Sequence, residues 1–241
     1  MFHARVVSVC CVALATSAVG CADTETETPT VTLSGTAYTF VSPTPVEGAT
    51  VRIDELPELM TTTDADGYWE LEVPVGATVT PWVSDGGTHV DMHGQTWVDV
   101  QEPIGDIYFQ MVSRFMFEAL AGVLEITPDP EKCQIASTVS EKAVQGVTFA
   151  EFVAHGAHGV AGATVTIDPP ALDVVYFNEN VIPDRSLTES SRDGGVVWTN
   201  LDPGVYTLRA THPDTAFAEV TVTCTAGRFV NPSPPNGLAE L

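Results

Sequence analysis

The sequence predicts an all-β fold, two tandem β-sandwiches joined by a short helical connector, behind an N-terminal signal peptide. Three observations carry that prediction. The stretch VEGATVRID, Val46 to Asp54, recurs as VAGATVTID, Val160 to Asp168, matching at six of the first eight positions and at the terminal Asp. Downstream of each copy stands Asp-Gly, then apolar residues two and four positions beyond the glycine, then a further glycine. These are Asp66-Gly67, Trp69, Leu71 and Gly76 in the first copy, and Asp193-Gly194, Val196, Trp198 and Gly204 in the second. Finally, the segment after Gly67 alternates, with Trp69, Leu71 and Val73 on one side and Tyr68, Glu70 and Glu72 on the other, as a half-buried strand does. A unit that recurs in this way is one structural module used twice, and 241 residues at 44% hydrophobic content are enough to bury a core.

The chain opens with one cation, Arg5, followed by an apolar run from Val6 to Val19 that is too short to span a bilayer, and then by small residues at a cleavage position. Residues 1–20 are therefore expected to be an export signal. Ala18-Val19-Gly20-Cys21 resembles a bacterial lipobox, which implies that the Cys21 thiol carries a diacylglycerol and becomes the mature N-terminus; an ordinary secretory signal cleaved nearby is the alternative. Residues 21–30, rich in Thr and Glu and without apolar periodicity, read as a solvated tether. The formal net charge is -23, with 32 acidic against 9 basic side chains, so phosphate backbones are repelled and nucleic acid is excluded as a partner.

The first sandwich is expected over residues 31–112. Within it Asp64-Ala65-Asp66-Gly67 admits two readings, a calcium loop or a hairpin turn. An EF-hand needs carboxylates at its first, third and fifth positions and a Glu at its twelfth. With Asp64 and Asp66 in the third and fifth places, the first is Thr62 and the twelfth Val73, so the template fails. Asp-Gly before an alternating strand is hairpin chemistry, because glycine tolerates positive φ.

Residues 113–130 break the strand pattern. Phe115, Met116, Phe117, Leu120 and Val123 form an apolar stripe that Gly122, Pro128 and Pro130 cut short, predicting a short connecting helix packed against one sandwich. The second sandwich is expected over 131–233, with a C-terminal tail over 234–241. Its Asp-Gly lies about thirteen residues farther from the repeat than in the first copy, an insertion around VVYFNENVIPDRS that is placed in a loop. Of five cysteines, Cys10 and Cys11 leave with the signal and Cys21 takes the lipid. Cys133 and Cys224 remain, both in strand-like segments, and are expected to form a disulfide in an oxidising compartment.

The pattern Pro/Val-x-Gly-Ala-x-Val, Asp-Gly-x-aromatic and Pro-Gly-x-Tyr-x-Leu, the last met by Pro203 to Leu208, resembles carboxypeptidase regulatory-like domains, which are small transthyretin-like (prealbumin-like) sandwiches. The resemblance implies a binding or scaffolding module without catalytic machinery, of the kind found in surface lipoproteins of Gram-negative bacteria. Collagen-adhesin B-type domains are similar sandwiches, which raises a Lys132–Asn231 isopeptide bond as a further possibility; Cys133 and Cys224 would occupy the same structural role.

No Gly-x-Ser-x-Gly, His-Glu-x-x-His, phosphate-cradling loop or Cys-x-x-Cys is present. His89, Asp91 and His93 alternate, so that on a strand all three would share a face, the arrangement a metal-dependent hydrolase site would need; polar loop residues are the default, and His155 and His158 stand near one another in sequence. Trp69 and Trp198 are expected in the cores. Trp82 and Trp97 are candidate carbohydrate-stacking residues, with packing between the sandwiches as the alternative. The expectation is thus a non-enzymatic protein without cofactor or metal, lipid-anchored to the outer membrane of a bacterial cell envelope, whose partners are the membrane, through that lipid, and an envelope protein or glycan.

Overall fold

The computed structural model describes residue 1, residues 28–171 and residues 174–241. The signal peptide, Cys21 and most of the tether lie outside the described residues.

The architecture is all-β, two tandem sandwiches joined by a short helix. The first contains β1 (Thr30–Thr39), β2 (Thr50–Ile53), β3 (Met60–Thr62), β4 (Tyr68–Pro74), β5 (Pro81–Ser84), β6 (Met92–His93) and β7 (Ile104–Met111). A sheet of order β4-β1-β7 packs on β3-β2-β5-β6, and Leu33, Ile53, Trp69, Val83, Met92 and Phe109 fill the space between them. Then comes α1 (Arg114–Val123), capped by the Ser113 hydroxyl, which accepts from the Met116 amide. The helix packs against both sandwiches rather than one: Met116 and Phe117 lie on the first core, while Leu124, just beyond its end, joins Val175, Phe177 and Val197 on the second. Because 3.6 residues make a turn, the face that meets these partners excludes Phe115 and Val123, which the sequence pattern assigns to the apolar stripe; they are 80% and 51% exposed.

The second sandwich comprises β8 (Cys133–Ser140), a 3-10 turn (Lys142–Val144), α2 (Phe149–His155), β9 (Thr164–Asp168), β10 (Val175–Phe177), β11 (Pro183–Asp184), β12 (Gly195–Leu201), β13 (Gly204–Thr211), β14 (Val220–Cys224), β15 (Phe229–Val230) and β16 (Leu238–Ala239). A sheet of order β14-β13-β9 packs on the β12-β8 side of the long sheet. Ile135, Trp198, Leu208, Val222 and Leu238 lie between the layers. Trp69 and Trp198 are each 1% exposed, in the cores where their strand positions put them.

The repeat is a repeat of hydrogen bonds as well as letters. In the first copy the Thr63 hydroxyl accepts from Ala49 N at 2.9 Å and donates to Val46 O at 2.6 Å. In the second the Ser190 hydroxyl accepts from Ala163 N and donates to Val160 O at the same two distances. The Asp-Gly turns agree too. Gly67 and Gly194 have φ of +73° and +77°, and a Cβ on either would meet a backbone oxygen, Ala37 O at 2.3 Å or Val139 O at 2.5 Å. Asp64 is the hairpin residue: its Oδ1 accepts from Asp66 N and Tyr68 N, both at 2.9 Å, closing an Asx turn.

In three further places the structure departs from the sequence expectation. The insertion around VVYFNENVIPDRS is not only loop, since β10 pairs with β12 and β11 pairs with β10. A second excursion, residues 141–158, carries α2, whose Phe149 and Phe152 pack on Tyr38 and Tyr108 of the first sandwich at ring separations of 4.9 to 5.2 Å. Residues 234–241, expected as a tail, contain β16, which pairs in parallel with β8 and buries Leu238 completely.

The two sandwiches also share a sheet. β15 pairs in parallel with β6 on one side and β8 on the other, giving the continuous order β11-β10-β12-β8-β15-β6-β5-β2-β3. The Cys133–Cys224 disulfide, with Cα atoms 5.7 Å apart, ties β8 of this long sheet to β14 of the opposing layer.

Candidate functional site

Where the sandwiches meet, a cavity of about 400 Å³ opens between the outer faces of their strands, within the range of roughly 300 to 1,000 Å³ usual for small-molecule sites. From the first sandwich Tyr38 and Phe40 on and after β1, and Gln110 and Val112 on and after β7, form one wall. The opposite wall is Ala136 and Thr138 of β8, with Gly195 of β12. Leu120 of α1 and Phe229 of β15 close it at one side. The remaining wall comes from the two excursions that the first copy lacks: Gly156 to His158 follow α2, while Phe177 ends β10 and Glu179 and Val181 belong to the β10–β11 turn. Two lining residues, Val41 and Val181, are β-branched yet hold φ of +70° and +60°. Backbone outliers of this kind persist only where surrounding packing over-determines them, and they concentrate at functional sites.

The polar groups facing the cavity lean one way. Asp193, the turn aspartate of the second copy, is half-buried. Burial pushes its carboxyl up to about 6, against the stabilising hydrogen bond that Gly195 N donates to Oδ2 at 3.1 Å. Among the described residues it forms no ion pair. Its counterpart Asp66 is exposed. Half-buried His158 donates from Nδ1 to Gly156 O at 2.7 Å, an assignment forced by the carbonyl, which can only accept. Burial lowers the imidazole's affinity for a second proton, so Nε2 is left as an acceptor. Glu179 adds a carboxylate at the rim, Gln110 and Asn231 supply amides, and among the described residues no Lys or Arg lines the cavity.

A second polar cluster locks the sandwiches together. Arg228, just before β15, donates to Asp54 Oδ1 at 3.0 Å and to His93 Nε2. Its guanidinium also lies over the Trp82 ring at 3.9 Å, and that of Arg52, the cross-strand neighbour, at 5.4 Å. His93 is fully buried and donates from Nδ1 to Thr223 O at 3.3 Å. Burial pushes its pKa down to about 4; Asp54 opposes that shift and Arg228 adds to it. Beside them the Thr96 and Thr223 hydroxyls meet at 2.8 Å across the interface.

These contacts redistribute the residues singled out in the sequence. His89, Asp91 and His93 do not converge. Only Met92 and His93 are strand; His89 turns to Asp85 Oδ2 at 2.6 Å and Thr39, and His93 to the interdomain lock. Among the described residues no group of three or more His, Cys, Asp or Glu is placed to hold a metal ion. The arrangement that the metal-dependent hydrolase alternative requires is therefore not assembled. Trp82 presents a face covered by Arg228, and Trp97 packs half-buried against the first core, so the two do not form an open stacking platform. Trp82 thus meets a residue of the second sandwich, whereas Trp97 lies on the core of its own. Lys132 pairs with Asp202 at 3.0 Å and Asn231 lies by Gln110, so no Lys–Asn bond is formed between them. The cleft residues Asp193, His158, Glu179 and Gln110 are not brought together by any sequence pattern. The one local signal is the repeated Asp-Gly, which marks Asp193 as a turn residue and says nothing of its burial.

No protein-family model matches the chain, and no curated protein sequence matches it. Among solved structures, the Bacillus anthracis TIE protein is similar at 12% identity over 86% of this chain, with a TM-score of 0.29. This chain spans about a third of that protein's length, 34%. The minor pilin GBS52 of Streptococcus agalactiae is 12% identical over 88% of this chain and 96% of its own, with a TM-score of 0.29. The shaft pilin SpaA of Lactobacillus rhamnosus GG is 12% identical over 85% and 97%, with a TM-score of 0.26. At TM-scores of this size the likeness carries no functional argument.

Proposed function

We propose that the chain is a non-enzymatic binding module of the bacterial cell envelope, exported, anchored through lipidated Cys21 to the outer membrane, and built on two sandwiches of the carboxypeptidase regulatory-like, transthyretin-like type. The cleft between the sandwiches is its ligand site. One observation carries this reading: both excursions that distinguish the second copy from the first, residues 141–158 and the β10–β11 turn, supply walls of the same cavity. Additions to a repeated scaffold that meet around one cavity are what a grafted binding site looks like, because function resides in loops held by a rigid frame. The frame is rigid here because β15 hydrogen-bonds both sandwiches into one sheet. The envelope protein or glycan expected from the sequence remains a partner for the outer surface of the pair.

The reading is tested with the full chain and a fragment set spanning anions, neutrals and cations, observed by ligand NMR. Ala136→Trp, on the β8 wall, fills the cavity from a half-buried position. Fragments that bind the wild type are expected to lose binding in the filled variant while its circular dichroism is unchanged. Absence of binders, or binders indifferent to the filling, would refute the cleft as a ligand site.

A further inference from the structure

The structure assigns a ligand class to the cleft: we infer that it takes a small apolar cation, an alkyl- or arylammonium group whose nitrogen meets the Asp193 carboxylate and whose hydrocarbon lies among Tyr38, Phe40, Phe177 and Phe229. The inference rests on the cleft being a ligand site. It follows from the lining. Aromatic and aliphatic side chains make up most of the wall, so a ligand must be largely apolar to recover the hydrophobic contribution of burial. The polar groups that carry or accept charge are Asp193, Glu179 and the His158 Nε2 lone pair, and among the described residues no Lys or Arg lines the cavity with them. An anion in this cavity would be desolvated against carboxylates with no compensating donor charge, whereas an ammonium gives Asp193 the cationic partner that no described residue supplies. The aromatic rings add cation–π attraction for the same ligand. Geometry and charge agree with the carboxyl's elevated pKa, because a half-buried carboxylate without a cation is raised and would be lowered again on binding one.

The test uses three probes of one shape, phenethylamine, phenethyl alcohol and phenylacetate, titrated calorimetrically into the full chain at pH 8 and pH 5. The amine is protonated at both. At pH 8 it is expected to bind at least about tenfold more tightly than the alcohol, and the acetate more weakly still. At pH 5, below the Asp193 pKa of about 6, the preference for amine over alcohol should fall to a small factor. Asp193→Asn keeps an oxygen to accept from Gly195 N, so the turn is retained, and it should show the reduced preference already at pH 8. Alcohol or acetate binding as tightly as the amine, or a preference untouched by Asp193→Asn, would overturn the assigned class while leaving the cleft a ligand site if Ala136→Trp abolishes that binding. If none of the three binds, the ammonium class is likewise overturned, and the fragment set decides separately whether the cleft binds anything.

Discussion

Substituting the turn glycine of each repeat measures how far the repeated fold depends on one close approach. Gly67→Ala places a Cβ 2.3 Å from Ala37 O, and the backbone there has φ of +73°. The left-handed conformation costs an L-residue about 1–2 kcal/mol, offset by roughly 0.4–1 kcal/mol of lost freedom in the unfolded chain. The clash is additional. Ala37 O accepts from Val46 N at 3.0 Å, and Ala37 N donates to Gly67 O at 2.8 Å, so moving the oxygen away by the ångström required strains two hydrogen bonds worth about 1 kcal/mol each. The total is about 2–3 kcal/mol, a large share of the 5–15 kcal/mol that usually separates folded from unfolded states. Gly194→Ala, with Val139 O at 2.5 Å, should cost a similar amount. Gly48→Ala is the control, because Gly48 has the same φ of +73° but nothing within 4 Å of the added carbon, so only the conformational cost of about 1 kcal/mol applies. Urea unfolding of the three variants gives the comparison. If Gly67→Ala costs no more than Gly48→Ala, crowding against β1 is not what the turn demands. Wild type and Asp64→Asn decide the cation question. Asp64 Oδ1 is committed to two backbone amides, and an Asn oxygen accepts them equally well, so Asp64→Asn should change stability little and millimolar calcium should leave the wild-type melting temperature unchanged. A calcium-dependent rise that vanishes in Asp64→Asn would restore the calcium loop.

Further outcomes are expected elsewhere in the chain. Reducing Cys133–Cys224, which closes a separation of 91 residues, should destabilise the protein by about 4–5 kcal/mol in the chain-entropy account, and mass spectrometry of alkylated protein should find no free thiol at either position before reduction. Cys21→Ser should abolish incorporation of radiolabelled fatty acid and release the protein from the membrane fraction; absence of label in the wild type would refute the anchor. The depressed pKa of His93, about 4 when folded, means that the unfolded chain binds its proton first. Its contribution to stability is therefore intact above the ordinary histidine pKa of about 6.5 and lost as pH falls from there toward 4. His93→Gln should flatten the pH dependence of the melting temperature over that window, and an unchanged slope would count against the Arg228–His93 contact as the acid-sensitive part of the lock.

How much of this was legible in the sequence depends on the range over which each feature is encoded. The Asp-Gly turns, the alternating strand after Gly67, the buried Trp69 and Trp198 and the Cys133–Cys224 pair rest on period-two patterning or on cysteine counting, and the structure contains them. Helix α2 escapes the sequence reading although its signal is local: Thr148 and Glu151 form a reciprocal capping box just ahead of Phe152. The helix has seven residues, too few for apolar periodicity to register. Strands β15 and β16 have two residues each and are specified by the strands beside them rather than by their own pattern. Trp82 can be read only within its own segment, but its partner Arg228 arrives from the far end of the chain. The cleft has no local signature at all, since its walls come from β1, β7, α1, β8, β12 and two excursions.

The repeat itself explains why the same turn does different work in the two copies. Asp66 and Asp193 occupy equivalent places, and each backbone N–H is held by the side chain two residues before it, Asp64 in one copy and Ser191 in the other. Nothing in the turn distinguishes a carboxylate at the surface from one lining a cavity. The difference lies in what is built over it. Without an insertion, the first turn projects into water, and Asp66 is exposed. In the second copy, Phe177 of the β10 excursion stands so close that a Cβ on Gly195 would meet its side chain at 3.0 Å, and Gly156 to His158 enclose the cavity into which the carboxyl faces. A residue type favoured for turn geometry alone is thereby placed in a partly desolvated, cation-free setting, and its charge becomes available for recognition. Shortening the β10–β11 excursion should therefore return Asp193 to an ordinary carboxylate pKa while leaving the turn intact, a change that carbon-detected NMR titration of the side chain reads directly. A carboxyl still elevated in the shortened chain would show that its environment is set by the sandwich itself and not by the excursion.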